Sequence, residues 1–199
     1  MNKAKNVWLI IAAALVIGGC TSSVQRIDAS EQVDLSGQWN DTDSQLVAQK
    51  MVTDSLARPW FSKFLKENGR EPVVIVGQIK NLSHEHINTN TFIADIEREL
   101  INSGNVQFVA SADARDEIRL ERNDQAANST LDTINEMGQE IGADFMMQGQ
   151  INTIIDTENV TQVRFYQVNL ELISIKDNRK VWIGEQKIKK LVKNANLRK

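Results

Sequence analysis

The sequence predicts an α/β (α+β) domain, with a mixed, largely antiparallel sheet of about four to five strands covered by helices and ending in a three-stranded meander. Three observations carry this. Apolar residues recur three or four apart in several segments between Asp43 and Ile141, the spacing of one helix face. A continuous run, Pro72-Val73-Val74-Ile75-Val76-Gly77, has the composition of a strand covered on both faces. The last third of the chain holds three long strand signals separated by short turns. Elements that alternate in this way bury their apolar sides by layering helices on a sheet.

The first nineteen residues stand apart. Lys3 and Lys5 precede an apolar run from Val7 to Ile17, which ends in Gly18-Gly19-Cys20. A basic start, a short apolar core and small residues at the exit describe an export signal, too short to span a bilayer comfortably. Ile17-Gly18-Gly19-Cys20 resembles the bacterial lipobox, in which the cysteine sulfur receives a diacylglycerol and the chain is cut just before it. The expectation is a lipoprotein signal peptide over 1–19, lipidation at Cys20, a lipidated N-terminus and tether over 20–42, and a globular periplasmic domain with a basic C-terminal tail over 43–199. Burial of an acyl chain such as palmitate contributes about 0.8 kcal/mol per CH₂, so several chains anchor stably where one does not. Thr21-Ser22 follow the cysteine, without an Asp at the second mature position. By resemblance to enterobacterial sorting signals, this directs the protein to the outer membrane, facing the periplasm.

From Thr21 to Thr42 the chain is polar and aperiodic, which reads as a tether partly laid on the domain near Asp34 to Asn40. Fully extended, it reaches at most roughly 75 Å. Trp39 to Ser44 supply several candidate N-caps for a helix from about Asp43 to Ala57, in which Val47 pairs with Met51 and Val52 with Leu56. Pro59 stops it and suits the first turn of a second helix, where a missing N–H costs little. Trp60, Phe61, Phe64 and Leu65 give that helix a bulky apolar face, read as core, and Gly69 suits its stop. After the Pro72–Gly77 strand, Lys80 to Thr89 reads as a polar loop. A helix with Phe92, Ile93, Ile96 and Leu100 on one face follows, closed near Ser103-Gly104, then a strand from Val106 to Val109. Residues 111–126 are crowded with charge and read as a solvated helix face, and a further helix is expected from about Leu131 to Ile141. Strands from Asp144 to about Thr157, Gln162 to Ile175 and Lys180 to about Leu191 complete the pattern, with turns at Glu158-Asn159 and Lys176 to Arg179.

Composition narrows the function. The formal charge of −3 becomes −5 once Lys3 and Lys5 are removed, so the body is mildly acidic and carries no nucleic-acid-binding signature. Cys20 is the only cysteine, which excludes an intramolecular disulfide and zinc sites with thiolate ligands. The two histidines both fall in Ser83-His84-Glu85-His86. No nucleophile elbow, phosphate-cradling glycine loop or zinc-protease helix is present. Two imidazoles rarely suffice for a metal, so no metal, cofactor or catalytic residue is assigned and no enzyme is expected. Candidate contact residues remain: Asn81, Ser83, His84, Glu85 and His86 in the polar loop, with Arg115, Arg119 and Arg122 as a second patch. The basic tail with Lys187, Lys189, Lys190, Lys193, Arg198 and Lys199 is a further region that could approach a lipid or a partner.

Four segments in order resemble the LpoB family: Gly37-Gln38-Trp39-Asn40-Asp41-Thr42-Asp43-Ser44, Arg58-Pro59-Trp60, Asn81 to Thr89, and Ile141-Gly142-Ala143-Asp144-Phe145-Met146-Met147-Gln148-Gly149. The Gly-Ala-Asp-aromatic segment is shared with TolB amino-terminal and CsgG-like domains. The resemblance implies a non-catalytic outer-membrane lipoprotein that binds and activates a bifunctional (class A) penicillin-binding protein, stimulating peptidoglycan synthesis and so cell-wall growth and cell shape, with no cofactor. A monomer is expected. The tether departs from enterobacterial relatives, which carry a long proline-rich one. The alternative is a CsgG- or TolB-like subunit of an envelope assembly or secretion complex.

Overall fold

The computed structural model describes residues 23–28, 31–110, 112–128 and 140–193. Cys20 and the signal segment therefore lie outside the described residues, as do Arg198 and Lys199 of the tail. The chain divides into two units, 1–32 and 33–199. In the first, Glu31 N–H donates to the Asp28 carbonyl at 3.1 Å. Among the described residues no helix is long and apolar enough to cross a membrane.

The second unit begins with a strap, Val33–Asn40, bent over Leu35 to Gln38, that leads into helix α1 (Asp41–Leu56). Asn40 is the N-cap: its side chain accepts the Asp43 N–H at 3.0 Å, and the Asp43 carboxylate accepts the Asn40 N–H at 3.1 Å. This reciprocal pair satisfies two donors that the first turn leaves open, so the helix starts two residues before the sequence-based boundary. Helix α2 (Pro59–Asn68) begins on its proline and ends at Gly69, whose φ of 65° is left-handed. Helix α3 (Thr89–Asn102) buries Phe92, Ile96 and Leu100, the stripe its spacing predicts. Helix α4 (Ala112–Asn128) occupies the charge-rich stretch and is largely solvated. The helix expected over Leu131 to Ile141 lies outside the described residues except for its last two positions, which are not helical.

Five strands form one sheet in the order β2-β1-β3-β4-β5: β1 (Val73–Leu82), β2 (Gln107–Phe108), β3 (Phe145–Glu158), β4 (Thr161–Ser174) and β5 (Lys180–Lys193). β2, β1 and β3 run parallel, whereas β3, β4 and β5 form the antiparallel meander. Asn159 and Asn178, at φ 53° and 58°, make the two reversals, where asparagine tolerates the left-handed region. The architecture is the mixed sheet with helical cover that the alternating periods imply.

The strand at Pro72–Gly77 is longer than its apolar run. It continues to Leu82 by pairing Lys80 with Gln150, Asn81 with Ile151 and Leu82 with Asn152 after a register shift between Val76 and Ile79. Lys80 to Leu82, read from sequence as loop, are thus the end of a strand: hydrogen bonds to β3 decide their conformation, and their polarity does not. The expected cover on both faces holds at the start, where Val73 and Val74 are both buried, and fades along the strand. β2 is shorter than the Val106–Val109 run.

One sheet face carries the core: Val74, Ile79, Phe145, Met147, Ile151, Tyr166, Val168, Leu170, Leu172 and Trp182 pack with Val47, Met51 and Val52 of α1 and the α3 stripe. On α2, Trp60 and Phe64 meet Phe145 edge-on, with ring centroids 5.0 and 5.3 Å apart. Trp60 is buried core, and Phe61 and Phe64 pack partly buried against it. Trp182 packs under α1, its indole N–H donating to Asp54 at 2.9 Å. The alternation in β4 puts Tyr166, Val168, Leu170 and Leu172 inward and leaves Gln167, Asn169 and Glu171 on the other face. There the amides of Gln148, Gln150 and Asn152 on β3 lie in register beside them.

Candidate functional site

The end of β1, the loop after it and the strap meet around one carboxylate. Asn81 closes the loop on itself: its amide N–H donates to the Glu85 carbonyl at 2.8 Å, and its Oδ1 accepts the Ser83 N–H at 3.0 Å. Ser83 Oγ accepts the Glu85 N–H at 3.1 Å. These bonds turn the loop so that the Glu85 side chain points inward, where it is 10% exposed. Its Oε1 accepts from Arg164 at 2.8 Å and from the Tyr166 hydroxyl at 2.7 Å, and its Oε2 accepts the Trp39 N–H at 3.1 Å. Three donors, one of them a cation, compensate the cost of removing this charge from water. Burial, and then the neighbouring carboxylate, push the Tyr166 hydroxyl far above its ordinary range, so it remains a proton donor.

The strap is seated by the same residues. The Trp39 ring lies edge-on between Phe92 and Tyr166, with centroids 5.8 and 5.7 Å away. Gly37 adopts φ 67°, and a Cβ there would stand 2.2 Å from Val192, so only glycine lets the strap lie this close to β5. Lys190 holds the strap's other side. Its ammonium donates to Asp43 at 2.6 Å, the Gln38 carbonyl at 3.0 Å and Asp34 at 3.1 Å, and the residue is 9% exposed. Burial raises the Asp43 carboxyl above its ordinary value, an effect that Lys190 and the Asn40 N–H only partly offset.

The sequence-predicted contact residues thus divide. Asn81, Ser83 and Glu85 are half-buried and brought together, whereas His84 and His86 are exposed. Thr153 Oγ1 accepts the His84 N–H at 3.1 Å and lies 3.0 Å from Nδ1 of its ring, which fixes the loop against β3. On α4, Arg119 pairs with Glu140 at 2.7 Å and Asp116 at 2.5 Å, and Arg115 lies 3.9 Å from Glu140. Arg119, with Arg115 and Arg122 nearby, holds the Glu140 carboxyl below its ordinary value. Arg122 is half-buried on the same helix.

Sequence reasoning missed Trp39, Arg164, Tyr166 and Lys190. In the sequence Lys190 belongs to a basic tail open to lipid or partner, yet it is buried under the strap. The signal was present: Ile188, Lys190 and Val192 share the inward side of β5, so a lysine in that register needs anionic partners. Among the described residues no group of three or more His, Cys, Asp or Glu could hold a metal ion. The arrangement joins and presents segments.

A family model described as peptidoglycan-synthase activator LpoB matches residues 43–188. No curated protein matches the chain in sequence. The chain is similar to the LpoB C-terminal domain from Escherichia coli, with 16% identity over 73% of this chain and 98% of that one, and a TM-score of 0.42. It is similar to the NMR structure of E. coli LpoB, with 14% identity over 89% of this chain and 84% of that one, and a TM-score of 0.40. The lipoprotein GNA1162 from Neisseria meningitidis gives 13% identity over 63% and 88% of the two chains, with a TM-score of 0.41.

Proposed function

Since this chain belongs to the LpoB family of peptidoglycan-synthase activators, we propose that it is a lipoprotein that binds and activates a bifunctional class A penicillin-binding protein. The signal peptide over 1–19 is removed, and Cys20 carries the acyl chains that hold the mature protein in the outer membrane, facing the periplasm. Residues 20–42 form the tether, which includes the strap and runs into the first turn of α1, and 43–199 form the domain that docks on the synthase. The protein acts as a monomer and performs no chemistry itself. Activation is a population shift: the protein raises the synthase rate by binding its active conformation more tightly than its resting one.

The family match over residues 43–188 carries this reading. We assign docking to the loop ending β1, with His84 and His86 as contacts and Asn81, Ser83 and Glu85 as their support. Arg115, Arg119 and Arg122 form a second patch. A polar loop on a rigid sheet presents side chains at little cost in order. The test is glycan polymerisation by purified class A synthases on lipid II, with and without the mature protein. A higher rate with a cognate synthase is expected. No effect on any class A synthase of the same cell, or peptidoglycan cleavage by the protein alone, overturns the reading.

A further inference from the structure

The strap is held differently from the rest of the domain. Among the described residues, Val33–Asn40 form no strand ladder. The strap is retained by one indole between two rings, by the Trp39 N–H on Glu85, and by Lys190 reaching Asp34 and the Gln38 carbonyl. Within the strap itself, Asn40 donates to the Val33 carbonyl at 3.2 Å. By contrast, the β3–β4 and β4–β5 pairings run almost the full length of their strands. Few side-chain contacts break before a cooperative sheet does.

We propose that the strap is a releasable latch, which couples the chain N-terminal to Val33 to the 83–88 loop through Glu85. A pull on the preceding residues reaches the strap first, because they are joined to it covalently. Lifting it withdraws the Trp39 N–H from Glu85 and the Gly37 carbonyl from Tyr166, 3.2 Å away. It also opens the slot between Phe92 and Tyr166 to water. Glu85 then keeps Arg164 and Tyr166 as partners but becomes hydrated, and the loop it anchors loses one of its supports. The seated strap orders the loop and the lifted strap loosens it. The consequence for synthase activation rests on the docking role proposed above; the latch itself does not.

Two measurements on the soluble, leader-free chain test this. In the first, force is applied between the Cys20 thiol and the C-terminus. A release of at most about 27 Å, the strap's contour at 3.3–3.6 Å per residue less the span it already covers when seated, is expected below the force that unfolds the domain. Trp39→Ala should abolish that step. In the second, hydrogen exchange in the Trp39→Ala protein should run about tenfold faster across residues 83–88 while β1, β3, β4 and β5 keep their protection. A single unfolding step in the unmutated chain, or loop exchange indifferent to Trp39, overturns the latch. Uniformly faster exchange also overturns it, by making Trp39 an ordinary part of the core. If both signatures appear but Trp39→Ala stimulates a synthase normally, the latch stands and the docking assignment of the loop fails.

Discussion

Asp144 grips Arg70 with both carboxylate oxygens, at 2.7 and 2.8 Å, and also accepts the Val73 N–H at 2.8 Å. The Asp144 N–H returns a bond to the Val73 carbonyl at 2.8 Å, and the Asp144 carbonyl accepts from Ile175 N–H at 2.9 Å. One residue therefore aligns the starts of β1 and β3 with the end of β4 and the segment after α2. This accounts for the aspartate in the Gly-Ala-Asp-aromatic segment.

Burial alone would raise the Asp144 carboxyl, but Arg70 and the Val73 N–H outweigh it and hold it below 3.8. The contribution of a carboxyl depressed in the fold is fully present above its unfolded value and disappears as pH falls through its folded one. Asp144→Asn should lower stability by about 2 kcal/mol at neutral pH. The difference from the unmutated protein should shrink steadily below pH 3.8. Urea unfolding across that range checks both statements; a pH-independent difference would refute the ionic account.

Gly149 sits where a Cβ would stand 2.1 Å from the Asn169 carbonyl oxygen and 2.6 Å from Leu170. The β3–β4 pairing cannot yield there without losing its ladder. Gly149→Ala should therefore cost about 2–3 kcal/mol. Gly142→Ala, where nothing lies within 4 Å, should change stability by less than about 0.5 kcal/mol. Thermal midpoints of the two variants decide the matter.

The loop offers a contrast between support and contact. Glu85→Ala leaves Arg164, 16% exposed, without its carboxylate and with only Gln162 as a hydrogen-bond partner, and should destabilise the domain by about 3 kcal/mol. His84→Ala with His86→Ala should weaken synthase binding while shifting stability by no more than about 1 kcal/mol, since His84 loses only its ring contact with Thr153. Binding and stability measured on the same preparations separate the cases. Normal binding by the double histidine variant would remove the loop from the docking surface.

Lipidation is tested at the only cysteine. Cys20→Ala should abolish acylation and normal maturation, and mass spectrometry of the mature terminus reports it. A cleaved, unmodified terminus at another residue in the unmutated protein would contradict the lipoprotein assignment.

Periodicity made most elements legible. The stripe Phe92, Ile96, Leu100 and the alternation in β4 required only that apolar residues share a face. Pro59 and Gly69 marked α2 because one lacks a donor and the other tolerates φ 65°. Non-local pairing was hidden. Lys80, Asn81 and Leu82 look like loop until β3 lies beside them. Glu85, flanked by exposed histidines, looks like surface until Arg164, Tyr166 and Trp39 converge on it from distant positions. Lys190 could have been suspected from its register, but Asp34 and Asp43 could not have been named as its partners without the fold.

Among the described residues β5 has a strand neighbour on one side only, so its other edge is open to further strand pairing. Such an edge is a template on which further chains could stack into fibrils. Lys187, Lys189 and Lys193 recur at alternate exposed positions along it. A second copy laid alongside would have to crowd and dehydrate these ammonium groups. The lysines that resemble a binding tail in the sequence thus also disfavour the stacking of further chains on this strand.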